Sequence, residues 1–390
     1  MFPRSPLLAA LALGCPGIAW GQPELLNLAI GDPARQHRAL SVALDTVLDT
    51  ASGEAISAQR AAERLSDARL ILIAEQHTAV EYHRVQLRVL QLLRESGRAL
   101  MVGLEMFPAD RQAVLDEWVA GGLTEAQFVE ASDWYGVWGY NWGYYRQILL
   151  FAREHGIPLV ALNRPQGAGG PQGGENGALP QPDLSSDDHR TLIRAFFESD
   201  TPVHGNLTDE QREALFEAQC TVDAIMAYHA AQALEARPER ALVVLAGTGH
   251  VIYGLGIARQ IQRWYPDPAA IIVPVEVEAD EVEVRASAAD FLWGIPESAF
   301  PAFPELGAVT VAGEAGPRVI HVEPNTPGAA GGLETGDVLT RLNGIPVAER
   351  SALNRALSAV RWGDEVSVDV RRDGEEIALL VHFRRQHDRR

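Results

Sequence analysis

LILIAEQH, residues 70–77, is the stretch from which the rest of the chain can be read. Leu70 to Ala74 is apolar without a break, and Glu75, Gln76 and His77 follow at once. A short unbroken apolar run suits a strand covered on both faces, as strands of parallel sheets are. The pattern recurs downstream. Leu100 to Leu104 is followed by Glu105, Leu159 to Leu162 by Asn163-Arg164-Pro165, and Leu242 to Ala246 by Gly247-Thr248-Gly249-His250. A fifth run, Ile271 to Val277, is expected to end the domain. Helical patterns lie between them, at Val80 to Arg94, Ala109 to Trp118, Tyr145 to Glu154 and Asp209 to Leu234, and Gly156-Ile157-Pro158 stops the third. The expected fold class is therefore α/β, a mainly parallel sheet flanked by helices.

Ligands of an open parallel sheet bind outside the carboxyl ends of its strands. Four separate segments thus bring Glu75, His77, Glu105, Asn163, Arg164 and His250 to one edge. Glu75 and Glu105 are the candidate catalytic carboxylates, His77 and His250 the candidate metal ligands, and Asn163 and Arg164 candidate ligand contacts. Taken singly, each has a bland explanation: a loop histidine, or a glutamate near a helix start. The convergence argues for function. Gly247 to His250 is not a phosphate loop, since no Lys follows. On the helix before the fourth run, Asp223 sits amid apolar neighbours, which predicts burial with a partner. His229 is read as exposed or locally hydrogen-bonded, and Cys220 as buried and inert.

Trp134 to Tyr145 reads WYGVWGYNWGYY, with seven Trp or Tyr in twelve residues. Such rings either pack a core or wall a planar ligand, with Trp142, Tyr144 and Tyr145 as candidate contacts and a Tyr oxygen as a candidate iron ligand.

The chain has 390 residues, 47% hydrophobic and 22% charged, with a formal charge of −19. That length predicts two domains. The acidic balance speaks against nucleic acid as a partner, since phosphate backbones call for clustered Lys and Arg. Residues 1–21 read as a signal peptide: Arg4, an apolar core from Leu7 to Leu13, and small residues before Gln22. Leu11-Ala12-Leu13-Gly14-Cys15 also reads as an imperfect lipoprotein signal that would anchor the chain to a membrane through Cys15. Either reading predicts export to the periplasm or cell envelope. Residues 166–186, rich in Gly, Pro and Gln, read as a flexible insertion in an α/β domain spanning 22–297, and 298–304 as a Pro-rich linker.

With these motifs on the page, residues from about 62 to 297 resemble the ChaN haem-binding uptake family of the Tiki superfamily. The resemblance rests on AEQH (74–77), LEMF (104–107), FAREHGIPLVALN (151–163), AQCTVDAIMA (218–227), AGTGH (246–250) and AADFLWGIP (288–296). It implies haem as cofactor and haem or an iron species as partner. In metal-dependent peptidases of the wider group, paired G-x-x-H motifs hold a divalent transition metal. Here the second motif is intact and ends in His250, while the first has Ala74 for Gly and ends in His77. The alternative function is therefore a metal-dependent hydrolase using Glu75, His77 and His250.

VIHVEPNTPGAAGGLETGDVLTRLNGIPV (319–347) resembles a bacterial PDZ domain, so 305–385 is expected to be a small β-rich module. The resemblance implies a peptide or protein C-terminus as partner, captured by backbone N–H groups. Gly313 to Pro317 is the expected carboxylate loop, with Gly313, Gly316 and Pro317 as candidate contacts. The sequence leaves a homodimer open.

Overall fold

The computed structural model describes residues 23–164, 180–199, 207–298 and 300–385. The expected signal peptide, Cys15 and most of the expected insertion lie outside the described residues. Among the described residues two compact units form: one contains those within 23–128 and 145–298, the other those within 129–144 and 300–385.

The first unit is built on an eight-stranded sheet in the order β3-β2-β10-β8-β4-β7-β5-β6. Its strands are β2 (Val47–Asp49), β3 (Glu54–Ile56), β4 (Leu70–Glu75), β5 (Leu100–Pro108), β6 (Leu159–Asn163), β7 (Ala241–Gly247), β8 (Ala270–Val277) and β10 (Phe291–Pro296). β1 (Ala39–Ala43) pairs separately with β9 (Glu281–Arg285). The six strands from β10 to β6 run parallel, and β2 is joined antiparallel to β10 and β3 antiparallel to β2. β4 is central, and every residue from Leu70 to Glu75 is at most 1% exposed. Each such Leu or Ile contributes roughly 1.5–3 kcal/mol by leaving water, which is why an unbroken apolar run is stable only there.

Helices α1 (Ala58–Arg64), α2 (Val80–Glu95), α3 (Gln112–Val119), α4 (Arg146–Glu154), α5 (Asp187–Ser199) and α6 (Asp209–Ala236) flank the sheet. Thr208 and Gln211 close a capping box that starts α6. Gly156 takes φ +59 after α4, the left-handed turn that ends a helix before its strand. The sequence expectation that Ile271 to Val277 ends the domain does not hold, because β10 adds in parallel beyond β8.

The second unit holds an antiparallel sheet in the order β11-β12-β13-β15-β16, with β14 (Ile345–Pro346) on β13. Its members are β11 (Ala308–Val311), β12 (Arg318–Val322), β13 (Val338–Leu342), β15 (Glu365–Arg372) and β16 (Glu375–His382). Helix α7 (Arg350–Ser358) packs on its core through Leu353 and Ala356. Residues 129–144, which the sequence placed in the first domain, pack in this unit. Asn354 Nδ2 donates to Tyr135 O over 3.2 Å, Arg355 pairs with Glu130, and Trp134 Nε1 donates to Tyr140 O over 2.7 Å.

Candidate functional site

The carboxyl ends of β4, β7, β5 and β6 are neighbours, so the polar residues that follow them meet at one edge. Glu75 ends β4 and is wholly buried. Its Oε1 accepts from His77 Nδ1 over 2.8 Å and from the Tyr145 hydroxyl over 2.5 Å, and its Oε2 accepts from Gln86 Nε2 over 2.8 Å. Burial pushes this carboxyl up, but His83, His77 and Tyr145 outweigh it and bring it down to about 2.

Glu105, on β5, accepts from the Gly247 backbone N–H over 2.6 Å and lies 3.4 Å from His250 Nε2. His250 Nδ1 donates to Asp223 Oδ1 over 2.6 Å. Burial lowers the affinity of this imidazole for a proton, yet Glu105 and Asp223 reverse the effect and raise it to about 10. His77 is raised in the same way by Glu75 and Glu105, against the pull of burial. Carboxylates and imidazoles therefore alternate across the edge. A Cβ built on Gly247 would lie 3.1 Å from His77 Cε1 and 3.6 Å from Glu105 Oε2, so the glycine makes room for the two side chains to approach.

Asn163 ends β6 and Arg164 follows it, but Asn163 serves the backbone: its Nδ2 donates to Glu105 O over 2.9 Å and its Oδ1 accepts from Arg164 N over 2.7 Å. Sequence reasoning missed His83 and Gln86 on α2, whose only signal was helical spacing opposite the strand end. Asp223 shows the partner that its apolar neighbours implied. Behind it, His189 is buried, with Nε2 3.7 Å from Asp223 Oδ2 and Nδ1 3.5 Å from Cys220 Sγ. Burial lowers the His189 imidazole and pushes the Cys220 thiol up, which accords with an inert cysteine. His229, read as exposed or locally bonded, instead reaches across the fold from α6, its Nδ1 donating to Leu162 O on β6 over 2.7 Å, and burial lowers its imidazole.

Among the described residues, no group of three or more His, Cys, Asp or Glu side chains is arranged to hold a metal ion. His77 and His250 stand as two imidazoles, each anchored through Nδ1 by its own carboxylate. The aromatic run shows the packing that was one of its two expected roles. Trp142 meets Trp134 edge-on at 5.1 Å, and Tyr144 meets Phe303 edge-on at 4.8 Å. Tyr145 is 1% exposed and its hydroxyl is committed to Glu75. Large rings gain most by burial against protein. Tyr144 and Tyr145 even fall in different units.

In the second unit, a cavity of about 350 Å³ lies between β11 and α7 and is bordered by Trp138, Tyr144, Phe303, Glu305, Gly307 and Leu353 among others. Gly313, Gly316 and Pro317 do not border it. They sit in the turn between β11 and β12, where a Cβ on Gly316 would collide with Leu339 O.

Residues 61–261 match the family described as haem-binding uptake, Tiki superfamily, ChaN, and 304–382 match the PDZ domain family. Over 76 residues the chain is 33% identical to the periplasmic serine endoprotease DegP of Salmonella typhimurium and to that of Escherichia coli K12, covering 20% of this chain. It spans only 16% of the length of these curated relatives. Among solved structures it is similar to ChaN of Campylobacter jejuni, described with cofacial haem binding. The identity is 20%, with 63% of this chain and 95% of that one covered and a TM-score of 0.49. The HtrA3 PDZ domain bound to a phage-derived ligand is 28% identical, covering 17% of this chain and 62% of that one, with a TM-score of 0.16.

Proposed function

Since this chain belongs to the haem-binding uptake, Tiki superfamily, ChaN family, we propose that its α/β body engages haem or iron at the strand edge, through His77. The observation that carries this reading is the His77–Glu75 pair. A carboxylate on Nδ1 fixes the orientation of an imidazole and leaves Nε2 as the ligand side, the usual arrangement of an iron- or zinc-bound histidine. Here the anchoring carboxylate is fully buried while the His77 side chain is 22% exposed. Haem iron draws four nitrogens from its porphyrin and needs only one or two from protein, which suits separately anchored imidazoles better than a three-ligand ion site does. His77 would hold the iron, with His250 and Glu105 beside it; the aromatic run does not supply the ligand. When bound, the haem would supply the iron chemistry, and the protein's part is orientation and charge.

The hydrolase reading keeps one support, the Glu105–His250–Asp223 chain, which resembles an oriented acid–base pair. The PDZ domain is read as a binding site for peptide C-termini. The likeness of that domain to periplasmic proteases supports an exported, envelope location.

Titrating haem into the purified protein and into His77→Ala and His250→Ala tests the leading reading. A Soret shift is expected in the wild type, lost in His77→Ala. A shift of equal size in both variants would remove His77 from the iron. Absence of any shift, with zinc or manganese co-purifying, would favour the hydrolase.

A further inference from the structure

β11 ends its sheet: one edge pairs with β12 and the other faces the cavity below α7. An open strand edge beside a helix accepts an extended peptide as an added strand. At the head of β11 lies Glu305-Leu306-Gly307-Ala308, all four residues bordering the cavity. Leu306 O accepts from Gly328 N and Gly307 O accepts from Glu323 N, each over 2.8 Å. In a planar trans peptide the N–H points opposite to the C=O. The N–H groups of Gly307 and Ala308 are therefore turned away from those partners. Gly307 holds φ +73, and a Cβ there would collide with Thr326, so this turn is open to glycine alone. Backbone amides gathered in a turn of this kind form a site for a carboxylate.

The residue next to these amides is an acid, and a peptide's terminal carboxylate would arrive beside it. Two carboxylates cannot share one small site while both are ionised. We propose that the PDZ groove captures a free peptide C-terminus only while Glu305 carries a proton, so that peptide binding is gated by pH. Burial raises the Glu305 carboxyl to about 7. A protonated carboxyl also becomes a hydrogen-bond donor to the incoming carboxylate. The other titratable or charged groups on the cavity wall are Tyr140 and Tyr144 from the aromatic run, His321 and Glu323 at the end of β12, Arg350 on α7, and Arg384 after β16. Arg350 and Arg384 attract the ligand's carboxylate and Glu323 repels it. His321 is tested separately.

The inference rests on the peptide-binding reading of this domain. The full chain is titrated with a fluorescent peptide ending in Tyr-Trp-Val, as the free acid and as the amide, from pH 5.5 to 8.5. The free acid should lose affinity towards tenfold per pH unit above about 7, the limit for one coupled proton. The amide should show no such loss. Glu305→Gln should bind the free acid at pH 8.5 as tightly as the wild type does at pH 5.5, and His321→Gln should keep the wild-type profile. An unchanged pH profile in Glu305→Gln, or a profile abolished by His321→Gln, overturns the gate while leaving peptide binding intact. Failure of both peptides to bind at pH 5.5 overturns the gate together with the peptide-binding reading.

Discussion

The Tyr145 hydroxyl donates to Glu75 Oε1 over 2.5 Å, joining the residue just before α4 to the last residue of β4. Both side chains are at most 1% exposed, so no water replaces this bond if it is lost. The ring also packs on His83, with centroids 4.5 Å apart. Tyr145→Phe keeps that packing and removes only the hydrogen bond. A bond to a charged group contributes about 1.5–3 kcal/mol, and a melting temperature lower by about 4–10 °C is expected from calorimetry. An unchanged melting temperature would mean that Glu75 finds another donor.

The opposed shifts of His250 and Glu75 predict a two-sided dependence of stability on pH. His250 is raised to about 10 above the ordinary histidine value. Its stabilising share is complete below the unfolded value near 6.5 and is lost as pH rises through about 10. Glu75 is depressed to about 2, so its share is present above the unfolded value near 4.3 and is lost as pH falls towards 2. Urea denaturation at pH 3, 6.5 and 10 should show the maximum in the middle. Asp223→Asn should flatten the alkaline limb while lowering stability at pH 6.5; an alkaline limb unaltered in that variant would exclude His250 as its source.

Gly247→Ala probes the approach of His77 and Glu105. The backbone there has φ −52, so alanine causes no strain of its own. The added methyl must instead push His77 Cε1 back from 3.1 Å. Haem affinity, read from the Soret titration, should fall about tenfold or more, since a 1 Å misplacement at a site is costly. Equal affinity in both proteins would show that His77 can retreat without consequence.

Asp337 is buried in the PDZ domain and answered by Arg372, whose Nε and Nη2 donate to its two oxygens over 2.7 and 2.8 Å. Arg372→Met leaves that carboxylate without its cation. Breaking a buried pair from one side costs about 3–5 kcal/mol. The unfolding transition of the PDZ domain, followed through Trp362 fluorescence, should move to lower urea. Arg372→Met with Asp337→Asn should recover part of the loss; no recovery would assign the effect to lost packing.

The central strands β4, β5, β6 and β7 were legible because burial on both faces forces an unbroken apolar run. β1, β2, β3 and β9 were not, being only three to five residues long, and β1 and β9 are exposed along part of their length. Strand-end residues such as Glu75 and His250 could be placed by topology alone. His83, Gln86 and His189 could not, since a helix shows its site-facing residues only once its rotation is known. Composition revealed the apolar mass of Trp134 to Tyr145 but not which body buries it. Gly313 and Gly316 marked a tight turn between β11 and β12, but glycine marks a tight backbone without saying what the backbone serves.

Tyr144 borders the cavity below α7 and Tyr145 holds Glu75, and a single rigid amide joins them. Two titrations on one chain therefore form a closed thermodynamic square. If occupying the groove alters the affinity for haem by some factor, haem must alter the affinity for peptide by the same factor. A pair of unequal factors would violate reciprocity, so each measurement audits the other. A factor of one in both directions would show that the amide carries no coupling.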